Sequence, residues 1–84
     1  MSTSHEPLKL DQPATYRIEV QGRLNPAWTT RFDDMVIFIP QTSDKVPITV
    51  LTGVVADQAA LFGLLSRIRD LGLPLLSVNY IDQQ

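Results

Sequence analysis

Two aromatic and two basic side chains are the residues of this sequence best suited to binding chemistry. Trp28 and Phe32 stand four positions apart in PAWTTRF, a spacing that places them on one side of a short helix. Such a pair would form the wall of a small apolar pocket, in which Arg17 or Arg31 would anchor an anionic ligand. The same rings would also plug one end of a sheet, and we favour that structural role.

Residue sets typical of catalysis or metal binding do not occur in the sequence. His5 is its one histidine and lies in an aperiodic N-terminal segment, and there is no cysteine. Asp33 and Asp34 are adjacent carboxylates, a pair that more often closes a turn before a strand than binds a cation. A Gly-rich phosphate loop, a serine elbow and paired metal ligands are all missing. We therefore predict no catalytic residue, no metal site and no cofactor.

Charge and hydropathy exclude two classes of partner. The formal net charge is −2, and the seven lysines and arginines are scattered along the chain. A nucleic-acid surface needs a concentrated basic face, so we predict no nucleic-acid partner. We predict no membrane partner either, because no apolar run approaches the roughly 18 residues of a spanning helix and no secretion signal begins the chain. The lack of cysteine fits a reducing compartment, and we predict a cytoplasmic location.

The 84 residues are enough for one domain. Residues 1–14 mix serine, threonine, proline and charges without periodicity, which predicts a flexible tail. Residues 15–84 are then a single α+β domain. A domain of this size buries only about 60% of the surface of its unfolded chain, so it is marginally stable alone.

Three strands are predicted in the first two thirds of the chain. Tyr16–Leu24 alternates apolar and polar residues, as a strand with one solvated face does. Asn25-Pro26 ends it, and Pro26–Phe32 is predicted as a short helix, with a loop as the alternative. Met35–Ile39 and Ile48–Val55 are rich in β-forming residues and apolar on both faces, and Gly53 suggests a bulge or a close approach of backbones.

The last third predicts a helix followed by a strand. Asp57 is an N-cap, the apolar residues follow helical spacing, and Gly72 and Pro74 end the helix before the strand Leu75–Ile81. The predicted fold is α+β: a four-stranded, mainly antiparallel sheet with one long helix on one face. Its order is the ferredoxin-like βαββαβ, or a βββαβ meander if Pro26–Phe32 is a loop. The apolar stripe of the helix consists of Leu61, Leu64, Leu65, Ile68 and Leu71.

The second and third strands carry more apolar side chains than one helix-covered face can bury. Exposed apolar surface usually marks an interaction site, so we predict a homodimer, with an unidentified protein or small molecule as a further partner. Refolding of Leu8 and Leu10 over the surplus is the alternative. The sequence leaves open which face is the interface; the candidate interface residues are Met35, Ile37, Phe38, Ile39 and Leu51.

Two segments carry a family resemblance: YRIEVQGRLNPAWTTRF and TVLTGVVADQAALFGLLSRIRDLGLPLLSV. They resemble a group of short, uncharacterised bacterial proteins that share a similar strand, a W-x-x-W-F-like turn and a run L-T-G…D-Q-A-A-L…R-D-L-G-L…L-S-V. This chain has Arg31 at the second Trp position and Asp34 where a glycine is usual. The resemblance implies a discrete domain over most of residues 15–81 and implies no activity.

Two functions of different classes follow from these observations. The first is a non-catalytic interaction or ligand-sensing module that forms a homodimer. The second is a small cofactor-independent dimeric enzyme, of the oxygenase or isomerase kind, with a pocket near Trp28. A pocket that holds a buried ionisable group would favour the enzyme, and a filled core would favour the module.

Overall fold

The computed structural model describes residues 7–24, 35–40 and 46–81. It confirms an α+β fold with a four-stranded antiparallel sheet and one helix. The third and fourth strands have the predicted bounds, and the second is shorter than predicted. The elements are β1 (Ala14–Gln21), β2 (Val36–Phe38), β3 (Ile48–Val55), α1 (Gln58–Asp70) and β4 (Leu75–Ile81).

The sheet has the order β2-β3-β1-β4, and every neighbouring pair is antiparallel. β3 and β4 therefore run parallel to each other on either side of β1, and α1 makes the crossover between them. This is a split βαβ unit. A meander would place β2 beside β1, whereas β3 lies between them. The ferredoxin-like prediction also requires a helix at Pro26–Phe32, which lies outside the described residues.

The hydrophobic core lies between α1 and the sheet. The helix contributes one stripe because its apolar residues recur every three or four positions, and β1 and β3 contribute alternate residues because strand side chains alternate between faces. The predicted stripe is confirmed for its three buried members, and Leu65 and Leu71 pack half-buried against them. The central buried residues are Leu61, Leu64 and Ile68 of α1, Tyr16, Ile18 and Val20 of β1, and Leu51 of β3.

The N-terminus of α1 is capped as predicted. Asp57 Oδ1 accepts a hydrogen bond of 2.7 Å from the backbone N–H of Ala60, which would otherwise have no partner inside the helix. The backbone N–H of Gln58 donates to the carbonyl of Leu10 at 2.9 Å. One part of the predicted N-terminal tail is thus bonded to the start of the helix.

The C-terminus of α1 ends in a Schellman motif. Gly72 has φ of +80°, the left-handed conformation that the sequence predicts for it. Its N–H donates to the carbonyl of Arg69 at 2.9 Å, and the N–H of Leu73 donates to the carbonyl of Ile68 at 3.4 Å. Leu73 also packs against the core, which supplies the apolar contact typical of this motif.

β1 ends three residues earlier than predicted because the chain turns at Gly22. This glycine has φ of +111°, and a Cβ on it would come within 3.0 Å of the Leu73 side chain. The fully buried Thr49 hydroxyl donates to the Gly22 carbonyl at 2.7 Å and accepts from the Leu24 N–H at 3.0 Å. Leu24 is therefore buried, as its apolar character suggests, but beyond the strand.

The irregularity that the sequence suggested at Gly53 occurs in a different strand. Gly53 pairs with Tyr16 in a β1–β3 register that runs without a shift. The register changes instead between β1 and β4, where Glu19 pairs with Ser77 and the next residue of β1 pairs with Leu75. Leu76 is the extra residue of this bulge.

Candidate functional site

We call the side of the sheet that faces away from α1 the open face. The β2–β3 register pairs Val36 with Thr52 and Phe38 with Val50, and all four side chains lie on this face because their neighbours in sequence face the core. Val36 is 66% exposed, Phe38 is 59% exposed and Val54 of β3 is 58% exposed. Three large apolar side chains of the open face are thus more than half in solvent.

The structure assigns three of the predicted interface residues to the core side of the sheet. Met35 and Leu51 are buried, and Ile37 pairs with Leu51 and packs against the core. The reason is the period of two along β2, which turns its odd-numbered residues toward α1. Ile39 is half-buried beyond the end of the strand. Phe38 is the predicted interface residue that lies exposed on the open face.

A pair of opposite charges lies along β1, in the middle of the open face. Arg17 Nε lies 3.2 Å from Glu19 Oε2, two residues along the same strand, and both side chains are partly exposed. An exposed pair of this kind contributes about 0–1 kcal/mol to stability. The predicted ligand-binding group of Arg17 with Trp28, Arg31 and Phe32 stays a prediction, since the last three lie outside the described residues.

A shallow pocket of about 280 Å³ lies at the end of the sheet where β1 begins and β4 ends. Its lining carries no charged side chain. Sequence reasoning missed it because its walls come from separate segments that only the strand register brings together. The lining residues are Gln12, Pro13, Ala14, Thr15, Val54, Tyr80 and Ile81.

Beside this pocket, two tyrosines and a glutamine connect the sheet to the start of α1. The rings of Tyr16 and Tyr80 have centroids 5.9 Å apart and are tilted by 58°. The buried Tyr16 hydroxyl accepts a hydrogen bond from Gln58 Nε2. A buried tyrosine hydroxyl needs such a partner, so this contact has a structural explanation.

The described residues contain no group placed for acid–base or metal chemistry. Across residues 7–24, 35–40 and 46–81, the buried polar side chains besides Tyr16 are Thr15 and Thr49, and no carboxylate, amine or guanidinium is buried. In the same residues, no three histidine, cysteine or acidic side chains are grouped as metal ligands would be. None of the described helical segments has the length and apolar character that a membrane span requires.

A protein-family model, described as a domain of unknown function (DUF8691), matches residues 15–79. The chain belongs to the DUF8691 family. The matched segment runs from the second residue of β1 to the fifth of β4, so the DUF8691 domain is the sheet and helix described above. This confirms the resemblance to an uncharacterised family. Comparison with curated proteins gave no match, and neither did comparison with solved structures.

Proposed function

We propose that this DUF8691 domain is a protein-interaction module without a catalytic role of its own, and that it acts as a homodimer through its open face. The observation that carries the proposal is the exposure of Val36, Phe38 and Val54 on that face. Neighbouring exposed apolar side chains on a small domain usually mark a contact surface. A second copy would bury them and would relieve the marginal stability of so short a chain.

Charge complementarity favours a second copy as the occupant of the open face. Arg17 and Glu19 leave the centre of the face neutral. A two-fold axis that lies between the two faces and runs perpendicular to β1 near Ile18 would bring each charge toward the opposite charge of the other copy, because an isologous contact pairs each position reciprocally. A partner surface of a single sign would face a neutral pair and would gain no charge complementarity from it.

The expected affinity is modest. Full burial of a valine or phenylalanine side chain stabilises by roughly 1.5–3 kcal/mol, so each of the three partly exposed residues offers about 1–2 kcal/mol. Two copies contribute twice that amount, and association itself costs about 4–15 kcal/mol. The balance predicts a dimer that dissociates at about micromolar concentration or above.

The test compares two phenylalanines of equal exposure. Phe38 on the open face is 59% exposed, and Phe62 on α1 is 61% exposed. Phe38→Asp should lower the average mass in sedimentation equilibrium at every concentration at which the wild-type chain associates, and Phe62→Asp should not. Identical masses for both variants would contradict the proposal. So would a wild-type mass of 9.4 kDa up to about 1 mM, with a melting temperature independent of concentration.

Two finer statements belong to the same proposal. We place the module in the cytoplasm, because the chain has no cysteine and so carries none of the disulfides that stabilise small domains in oxidising compartments. We also place its relatives among short bacterial proteins that share the L-T-G…L-S-V run. The alternative of a cofactor-independent enzyme with a pocket near Trp28 has no supporting observation among the described residues.

A further inference from the structure

β4 is an edge strand that carries neither charge nor proline, and its protective feature is the bulge at Leu76. It is seven residues long and, among the described strands, pairs with β1 alone. Its sequence LLSVNYI contains no charged residue and no proline. β2 forms the other edge and is only three residues long. Proteins normally protect an edge by shortness, charge, proline or a bulge, because its outer N–H and C=O groups can bond to another strand.

The polarity pattern of β4 is the same in both directions. Val78 stands at its centre, flanked by the polar residues Ser77 and Asn79, and two apolar residues complete the strand on each side. An unrelated partner strand would require no such symmetry. Antiparallel pairing of the strand with itself is favoured by it, because a two-fold axis places each position opposite its mirror position and the symmetry makes each such pair alike in polarity.

We propose that β4 pairs antiparallel with β4 of a second copy, about a two-fold axis that passes through Val78. Ser77 then lies opposite position 79 of the second copy, and Leu76 lies opposite position 80. Polar residues meet polar ones and apolar residues meet apolar ones. A register centred on Asn79 would instead set Ser77 opposite an apolar residue, so the pattern selects one register.

The exposure of β4 agrees with this pairing, and the bulge limits it to the central part of the strand. Leu75, Leu76 and Tyr80 are each about half exposed, and the pairing covers the last two. The bulge at Leu76 interrupts the pairing at one end of the strand, but the central pairs of positions 77 to 79 lie in the stretch Ser77–Ile81, where the register with β1 has no shift. The combined sheet would have eight strands with both copies of α1 on one side. It uses the edge of the sheet, so it is separate from the open-face contact.

The lack of native cysteine permits a sharp test by cross-linking. Ser77→Cys and Asn79→Cys are made separately in the Phe38→Asp background, which removes the open-face contact, and are mixed in equal amounts under mild oxidation. In the proposed register these two positions are directly opposite, with Cβ atoms about 4.5–5.5 Å apart. Like positions are diagonal, at about 7–8 Å, which is too far for an unstrained disulfide.

The expected result is that the mixed disulfide exceeds each single-variant disulfide about fivefold or more in intact-mass spectra, where random pairing gives about half mixed product. The control is Ser66→Cys, which is exposed on α1. Mixed in equal amounts with Asn79→Cys, it should give the proportions of random pairing. Leu76→Lys, which adds the charge that edges normally carry, should abolish the preference. Random pairing of the 77 and 79 variants would overturn the inference, as would a mass of 9.4 kDa for Phe38→Asp up to about 1 mM.

The two proposals fail separately. A specific 77–79 cross-link, together with equal masses for Phe38→Asp and Phe62→Asp, would keep the edge pairing and reject the open-face contact. Random cross-links, together with a mass for Phe38→Asp below that of Phe62→Asp, would reject the edge pairing and keep the open-face contact.

Discussion

We consider the substitution to alanine at two glycines whose backbone conformations differ. Gly63 is helical, and Gly72 is left-handed. Gly63 lies in the middle of α1, and a Cβ there would meet no atom of the described residues within 4 Å. Gly72 follows α1 with φ of +80°, and a Cβ there would also meet none. Because neither added methyl group makes a new contact or a clash, the stabilities of the two variants should differ only through the backbone conformation at each position.

The two changes in stability should have opposite signs. Alanine is favoured over glycine in a helix interior by about 0.8–1.0 kcal/mol, so Gly63→Ala should raise the free energy of unfolding by about 0.5–1 kcal/mol. An alanine in the left-handed region costs about 1–2 kcal/mol, so Gly72→Ala should lower it by at least about 1 kcal/mol. For a domain of this size, 1 kcal/mol corresponds to about 4–8 °C in melting temperature.

Urea denaturation followed by circular dichroism measures both variants against the wild-type chain, at two protein concentrations to separate folding from association. The slope of the free energy against urea must stay unchanged, since it reports the surface exposed on unfolding. A loss of stability for Gly63→Ala with unchanged slope would refute the reasoning, because it would mean that another surface covers this side of α1. Equal effects of the two variants would refute the assigned conformation of Gly72.

Two further substitutions test the hydrogen bonds that determine local structure. Asp57→Ala should lower stability by about 1 kcal/mol, because the N–H of Ala60 loses its acceptor, and Asp57→Asn should lose much less; equal losses in urea denaturation would reject the cap. Thr49→Val should cost about 2–3 kcal/mol, because the carbonyl of Gly22 and the N–H of Leu24 lose a buried partner. Thr49→Ser keeps the hydroxyl and should cost about 1 kcal/mol or less. If serine costs as much stability as valine, the two hydrogen bonds of the hydroxyl contribute little.

The elements predicted with the correct bounds are those that carry their own local signals. α1 has a capping aspartate, an apolar stripe and a left-handed glycine, and each of these acts within a few residues. β3 and β4 are continuous β-forming runs between turn residues. No long-range contact is needed to recognise them, which is why the sequence alone sufficed.

The orientation of β2 could not be predicted, because both of its faces are apolar. Its register with β3 decides the matter by pairing Ile37 with the fully buried Leu51, which leaves Val36 and Phe38 on the open face. A strand register depends on residues that are far apart in the sequence, so it cannot be read from one segment. The same holds for the end of β1, where the alternation continues to Leu24 but Gly22 turns the chain away from the strand.

The distribution of polar groups in the described residues agrees with the proposed interaction function. The Thr49 hydroxyl is bonded to the turn after β1, and the Tyr16 hydroxyl is bonded to Gln58 at the start of α1. Both groups hold chain segments together, so neither is left in a cavity to act on a substrate. The exposed features of the described residues are of a different kind. They are the apolar side chains Val36, Phe38 and Val54 of the open face and the uncharged edge of β4. Covering exposed apolar area and pairing an open strand edge both lower the free energy, and the two proposed contacts with a second copy of the chain would do both.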